Sequence, residues 1–226
     1  MRVAELWRYP VKSMAGERVG AADLDVRGIP SDRGLAAFEI GPQSKEKPLS
    51  ARDLAGLLKF RASLKTGIAQ VAGPELELTS WDHESVARSI SGQCRRELEL
   101  RPVASGAFDD SPILLIHLAT VGALSQEMGS PVDHRRFRAN IYVEGEGIVA
   151  HGESHLRGRE LRCGAAVLRV TDTCSRCAIP TRDPDTWTSW PLLLRHLVQT
   201  HDEVVGVYCQ VKVPGRLAEG DPVEIL

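Results

Sequence analysis

The stretch Val205-Gly206-Val207-Tyr208-Cys209-Gln210-Val211-Lys212-Val213 reads as a β-strand, because β-branched and aromatic side chains suit a pleated, half-buried surface. Residues 222–226 read as a second strand, with Gly220-Asp221 as the turn between them. The same signature recurs upstream. Residues 3–9 alternate and stop at Pro10, which has no N–H to give to a ladder. Residues 21–26 and 35–40 predict two strands on either side of a turn region at 28–34. Residues 41–48 are polar and punctuated, which predicts a loop. Residues 57–64 and 76–79 predict strands around the Gly73-Pro74 turn, and 97–103 alternate again. The continuous apolar run 113–116 predicts a buried strand, and 140–143 and 166–170 predict two more.

Helical spacing is rarer. Residues 82–91 predict a short helix capped by Asp82. Val121, Leu124 and Met128 mark a helix over 119–128, and Trp190, Leu193, Leu194 and Leu197 share one face of a helix over 187–199. Many short strands with a few inserted helices do not make the strand–helix rhythm of a doubly wound parallel sheet. They predict a strand-rich α+β fold of barrel type. A boundary falls near Ser105-Gly106, dividing the chain into residues 1–105 and 106–226.

The 226 residues are enough for one large or two small domains. A net charge of -2 gives no general attraction to nucleic acid or anionic membrane, so an anion site must be a local cluster. No apolar run approaches the ~18 residues of a membrane helix, and the opening Met1-Arg2-Val3-Ala4-Glu5-Leu6 is too charged for a secretory signal. The cytoplasm is the expected compartment. Five cysteines (94, 163, 174, 177 and 209) are too sparse for a disulfide framework.

The chemistry concentrates at Cys174-Ser175-Arg176-Cys177. Spacing alone leaves several readings open. A structural zinc site needs four ligands, which His151 and His155 would complete only by coming close in space. A thioredoxin-like pair should open a helix, yet Pro180 and Pro184 follow almost at once. Two half-buried thiols in a turn are the plain alternative. Arg176 favours thiolate at a neighbouring cysteine, and thiolate is the soft ligand a redox metal takes. Asp183-Pro184-Asp185-Thr186 signals a turn or helix start that would fix this segment. Cys163 and Cys209 lie in strand-like contexts and are read as structural, and His117 as a satisfied core or rim histidine. Asp109 and Asp110 are adjacent, so their side chains diverge in a strand, and Asp110 suits a turn or cofactor contact.

A second set suits an anion. Lys12 and Ser13 follow the first strand, Arg33 precedes the strand at 35–40, and Arg135, Arg136 and Arg138 crowd the start of the strand at 140. Guanidinium forks and hydroxyl donors are what a phosphate monoester requires. Solvated surface charge is the plain alternative for each.

These residues resemble a known family. Leu6-Trp7-Arg8-Tyr9-Pro10-Val11-Lys12-Ser13, Asp32-Arg33-Gly34, Leu49-Ser50-Ala51-Arg52, Phe137-Arg138-Ala139-Asn140-Ile141, the Cys174–Cys177 segment with its Asp-Pro-Asp-Thr turn, and Glu219-Gly220-Asp221-Pro222-Val223 stand in the order found in the MOSC family, the molybdenum cofactor sulfurase C-terminal domain proteins. The resemblance is nearest to the mitochondrial amidoxime-reducing component branch, and no motif is matched over residues 54–107. It implies a β-barrel MOSC domain with packed helices over 106–226, fed by a β-rich MOSC N-terminal region over 1–105. It implies a molybdenum–molybdopterin cofactor with Cys177 as catalytic metal ligand. Lys12, Ser13, Arg33 and Arg138 would hold phosphate and pterin, and Asp110, Ser111, Asn140, Ser175 and Arg176 would complete the surroundings. The implied activity is reduction of small N-hydroxylated compounds such as amidoximes and hydroxylamines. A carrier of cofactor or sulfur, with a persulfide on Cys174 or Cys177, is the non-redox alternative. The expected electron donor is a separate ferredoxin or flavin reductase, since the chain stops at Leu226 without the cysteines of an iron–sulfur domain. No nucleic acid or membrane partner is expected. One position departs from the family: Trp187 stands where a glycine commonly follows the Asp-Pro-x-Thr motif. Its bulk either narrows the substrate entrance or starts the helix.

Overall fold

The computed structural model describes residues 1–42 and 44–226. Fifteen strands and three α-helices are described: β1 (Arg2–Arg8), β2 (Glu17–Val19), β3 (Ala21–Leu24), β4 (Leu35–Glu39), β5 (Arg61–Lys65), β6 (Ile68–Gly73), β7 (Leu76–Ser80), α1 (Glu84–Cys94), β8 (Leu98–Pro102), β9 (Ile113–His117), α2 (Leu118–Glu127), β10 (Ile141–Glu144), β11 (Glu160–Cys163), β12 (Ala166–Ser175), α3 (Pro191–Thr200), β13 (Val204–Val213), β14 (Gly215–Ala218) and β15 (Val223–Ile225). The expected strand-rich α+β class is what the chain forms.

The chain makes two compact units, neither continuous in sequence. The first comprises Met1–Trp7, Arg18–Pro30 and Asp110–Leu226. Its main sheet runs β15-β11-β12-β13-β9-β10-β1-β2. The β10·β9 pair is parallel, and α2 makes the crossover that a parallel pair requires. Val3, Leu6, Ile113, Leu115, Ile141 and Val143 send alternate side chains into one core, together with Leu161, Leu168, Val170 and Val207 from the other strands. Leu114, Ile116 and Tyr142, on the opposite face, pack with Val121 and Leu124 of α2 and Leu193 and Leu197 of α3. Gly206 lies in β13 at φ +80, where an added Cβ would meet the Leu115 carbonyl at 2.7 Å. That position takes glycine for its conformation and its close approach to β9.

The second unit comprises Arg8–Glu17 and Ser31–Asp109. It holds the β4·β8 pair, the β5-β6-β7 sheet and α1. Val11, Met14, Leu57, Phe60, Val71, Val86, Ile90 and Leu98 form its core. The 8–17 segment is stitched in by Lys12 N–H to the Leu35 carbonyl and Ala15 N–H to the Phe60 carbonyl, both 2.8 Å.

Several elements differ from expectation. Residues 55–59 form a 3₁₀ turn, so only the second half of the expected 57–64 strand is extended. Helix α1 is capped by the His83 ring, which accepts from Ser85 N–H, and not by Asp82. β12 continues five residues past the expected end, so Cys174 and Ser175 belong to a strand. Helix α3 starts at Pro191, not at 187. Gly220-Asp221 joins β14 to β15 rather than β13 to the last strand. Four strands carried too little alternation to stand out: β2, β6, β11 and β14. The 41–48 loop includes residue 43, which lies outside the described residues.

Candidate functional site

In the second unit Lys12 and Ser13 lie on a segment joined to the one carrying Arg33 by the parallel bridge Val11–Leu35. Asp32, with a fully buried carboxylate, accepts from Tyr9 N–H at 2.6 Å and pairs with Arg33. Arg33 N–H donates to the Tyr9 carbonyl, and the guanidinium lies 4.6 Å over the Tyr9 ring. Burial works against the Arg33 charge, but Asp32 outweighs it and holds the guanidinium above its ordinary pKa. Lys12 Nζ donates to the Ala107 carbonyl at 2.7 Å and to Asp109 at 2.6 Å. Arg52 reaches the same Asp109 oxygen at 3.0 Å. Burial would raise the Asp109 pKa, but the Lys12 hydrogen bond and the charges of Lys12, Arg52 and Arg33 pull it below the usual carboxylate range. Ser13 is buried at φ +69, and its Oγ accepts from Ala51 N–H at 2.8 Å. The Leu49-Ser50-Ala51-Arg52 stretch is thus fastened to the Lys12-Ser13 turn.

In the first unit the cysteine segment leaves the end of β12. Cys174 is 3% exposed and belongs to the core beside Val205 and Phe137. Cys177, two residues past the strand, is half-buried. Strand alternation explains the difference: Cys174 faces inward, Ser175 is exposed, and the chain then turns out of the sheet. Arg176 is buried between them. Its guanidinium donates to the Val205 carbonyl through Nε (2.9 Å) and Nη2 (2.5 Å), and to the Phe137 carbonyl through Nη1 (3.0 Å). Its own N–H bonds the Glu203 carbonyl at 2.7 Å. Arg176 therefore binds the cysteine segment to the turn before β13 and to the residue preceding Arg138. Arg138 is half-buried at φ +56 and closes the short 3₁₀ helix 134–137.

Asn140 is 1% exposed; its Oδ1 accepts from Leu114 N–H and its Nδ2 donates to the Trp7 carbonyl, each at 3.2 Å. It ties β1 to β9 across the start of β10. Ser111 Oγ lies 2.8 Å from Asp110 Oδ1 and 3.2 Å from Thr171 Oγ1 of β12. The ten residues selected from sequence thus fall on both units, three on the second and seven on the first.

Arg135 and Arg136 are not free anion donors. Arg135 grips Asp133 and Asp185, each at 2.6 Å, while Arg136 is buried against Asp183 at 2.7 Å and the Pro180 carbonyl. Asp183 organises the following turn, accepting from Asp185 N–H, Thr186 N–H and the Thr186 hydroxyl. The Thr186 backbone hydrogen bond is the main reason its pKa falls below the ordinary value, against a smaller contrary effect of burial. Asp183 N–H to the Thr188 carbonyl and Trp187 N–H to the Asp183 carbonyl close the loop. Trp187 sits there at φ +61, in the left-handed region that a glycine fills without strain. It is a turn residue, not the helix start. His117 is structural, its ring accepting from Ala119 N–H at the start of α2. Cys163 and Cys209 are fully buried, and burial pushes the Cys163 thiol up to about 12 and raises Cys209 as well.

The MOSC domain matches residues 101–224, and the MOSC N-terminal beta barrel domain matches residues 1–101. The chain belongs to the MOSC domain family. Mitochondrial amidoxime-reducing component 1 of Mus musculus and its Homo sapiens counterpart are each 25% identical, over 99% of this chain and 82% of the relative. The YUAD protein of Bacillus subtilis has a similar structure, with a TM-score of 0.51 at 14% identity over 99% of this chain and 94% of that one. That likeness concerns the fold alone. No helix among the described residues is long and apolar enough to cross a membrane.

Proposed function

We propose that this MOSC protein is a molybdenum-cofactor-dependent reductase of small N-hydroxylated compounds, amidoximes and hydroxylamines among them, with Cys177 as the thiolate ligand to the metal. The observation that carries the choice of ligand is the contrast between Cys177, half-exposed past the end of β12, and Cys174, buried in the core. A metal ligand needs a thiol that a large cofactor can reach. The family membership and the names of the mitochondrial relatives support the reaction class.

The donor set suits a molybdopterin. When bound, the cofactor supplies a redox-active metal able to take an oxygen from the substrate. Lys12 and Arg33 are the cationic groups assigned to a phosphate monoester, and each would share its charge with the carboxylate it already holds, Asp109 and Asp32; Arg138 is the further fork in the MOSC domain. Asp110 can only accept while ionised, so with the Ser111 hydroxyl it suits pterin N–H groups rather than phosphate. Ser13, Asn140 and Arg176 act by position: their polar atoms hold main chain in place. Ser175, exposed beside the thiol, completes the surroundings. The reading takes residues 1–105 as the MOSC N-terminal region and 106–226 as the MOSC domain. It places the protein in the cytoplasm, with electrons arriving from a separate ferredoxin or flavin reductase.

The test is metal and pterin analysis of protein made in a cofactor-competent host. Wild type and Cys174→Ser retain molybdenum, and Cys177→Ser loses it. Wild type free of molybdenum would sink the reading. Reduction of an amidoxime by the loaded protein with a chemically reduced donor separates the reductase from the non-redox alternative, a carrier of cofactor or of persulfide sulfur. Burial of Cys174 leaves Cys177 as the better persulfide position for that alternative.

A further inference from the structure

Glu127 is the last residue of α2, where a carboxylate meets the negative end of the helix dipole unfavourably. Three imidazoles converge on it. His196 Nε2, on α3, and His201 Nε2, just past α3, lie 2.7 and 2.8 Å from Glu127 Oε2. His151 Nε2 lies 3.1 Å from Oε1. The His151 and His201 rings stack at 3.7 Å, and His196 stands edge-on to His201 at 5.7 Å. The four side chains are 17–30% exposed, set into the surface yet open on one side.

We propose that Glu127, His196 and His201 form a binding site for a divalent transition-metal ion of the zinc class, with His151 holding the second oxygen of Glu127. Two imidazole nitrogens and one carboxylate oxygen, with a position left for water, form a ligand set that zinc and its neighbours accept. One ligand atom from each of the three residues falls within 4.8 Å of the others. Bonds of about 2.0–2.1 Å place tetrahedral ligand atoms about 3.3 Å apart. Closure therefore asks each nitrogen to part from Oε2 by roughly half an ångström, and the two nitrogens, within 4.8 Å of each other, to settle at the same spacing, all within the freedom of partly exposed side chains. A cation at this point also reverses the unfavourable meeting of Glu127 with the helix dipole.

The surrounding groups hold the arrangement in place. His151 is kept at φ +60 by its N–H to Thr120 Oγ1 at 2.9 Å. Thr120 in turn donates to Glu153, which is 3% exposed, at 2.7 Å. This is the outer support that orients a metal's ligands. His201 begins the turn into β13, and the next residues receive Arg176: its N–H bonds the Glu203 carbonyl and its guanidinium the Val205 carbonyl. An ion at His201 would clamp α2 to the turn on which Arg176, the neighbour of Cys177, is braced. The site is separate from the molybdenum reading, because none of its ligands is a cysteine.

Titration of the full-length, chelator-treated protein with Co²⁺ tests it. We expect one saturable ion per chain, a visible spectrum of nitrogen and oxygen ligation with no thiolate charge-transfer band, and displacement by Zn²⁺. Binding persists in Cys177→Ser and weakens at least about 10-fold in His196→Gln and in Glu127→Gln. Zn²⁺ raises the melting temperature of wild type and leaves that of His196→Gln in place. His201→Gln gives the same reading should His196→Gln fail to fold. Absence of saturable uptake, a thiolate band, loss of the ion in Cys177→Ser, or unchanged affinity in the histidine and glutamate variants would each overturn the site and leave a hydrogen-bonded clasp.

Discussion

Cys174 and Cys177 differ by three residues in sequence and by their relation to the core. A thiol reacts as thiolate and only where reagent can reach it. We therefore expect iodoacetamide to modify Cys177 first in the folded, cofactor-free protein, and a bound cofactor to protect it. Cys94, half-buried with its thiol pKa pushed up by burial, should react more slowly. Cys163, Cys174 and Cys209 should react only on unfolding. Peptide mass spectrometry after a timed reaction reads the order, and early labelling of Cys174 would contradict the burial argument. Trp187 gives a second expectation at this scale. A β-branched side chain tolerates positive φ poorly. Trp187→Val should be less stable than Trp187→Gly by about 1–2 kcal/mol, measured by urea unfolding. The sequence marked this position because a bulky residue stood where the family carries glycine. The left-handed backbone supplies the physical reason.

At the scale of elements, the turn after Cys177 depends on one carboxylate. Asp183 accepts three hydrogen bonds from its own loop and one from Arg136. Asp183→Ala should cost about 1–2 kcal/mol, the range of a lost capping residue. The pH dependence has a definite sign. The folded pKa of Asp183 lies below its unfolded value, so its contribution is full above the ordinary carboxylate pKa. It is lost as pH falls through the lowered folded value. Wild type and Asp183→Ala should differ at neutral pH and converge in acid, and parallel stability curves would count against this role. Elements were legible in sequence where the local signal was strong: alternation in β1, helical spacing in α2, a continuous apolar run in β9 and β-branched and aromatic content in β13. The Asp183-Pro184-Asp185-Thr186 turn was equally plain. The start of α3 was misplaced by four residues because Trp187 continues the apolar spacing, while the main-chain bonds among Asp183, Trp187 and Thr188 close a loop there instead.

At the scale of the whole molecule, the first unit depends on residues from both ends of the chain. β1 pairs with β10 and β3 pairs with β14. Val3, Leu6, Leu24 and Ile29 are each at most 3% exposed within its core. Burying such side chains contributes about 1.5–3 kcal/mol each, together comparable with a typical net stability of about 5–15 kcal/mol. A fragment of residues 106–226 should therefore lack cooperative unfolding and bind hydrophobic dyes, and restoring residues 1–30 with the rest of the chain should recover both properties. A sharp melting transition from the fragment alone, followed by circular dichroism, would refute this.

The sequence by itself determined the strand-rich α+β class, the turn signals, the cysteine segment and the motifs that place the chain among MOSC proteins. These are local: side-chain periodicity, proline and glycine punctuation, and short motifs act within a few residues. Tertiary structure alone decided that Cys174 is buried while Cys177 is reachable, and that Arg135 and Arg136 brace a turn rather than wait for an anion. It also brought Glu127, His151, His196 and His201 together from three separate stretches of chain. Burial and pairing depend on which strands and helices become neighbours, and that choice is made by long-range packing that no short window of sequence contains.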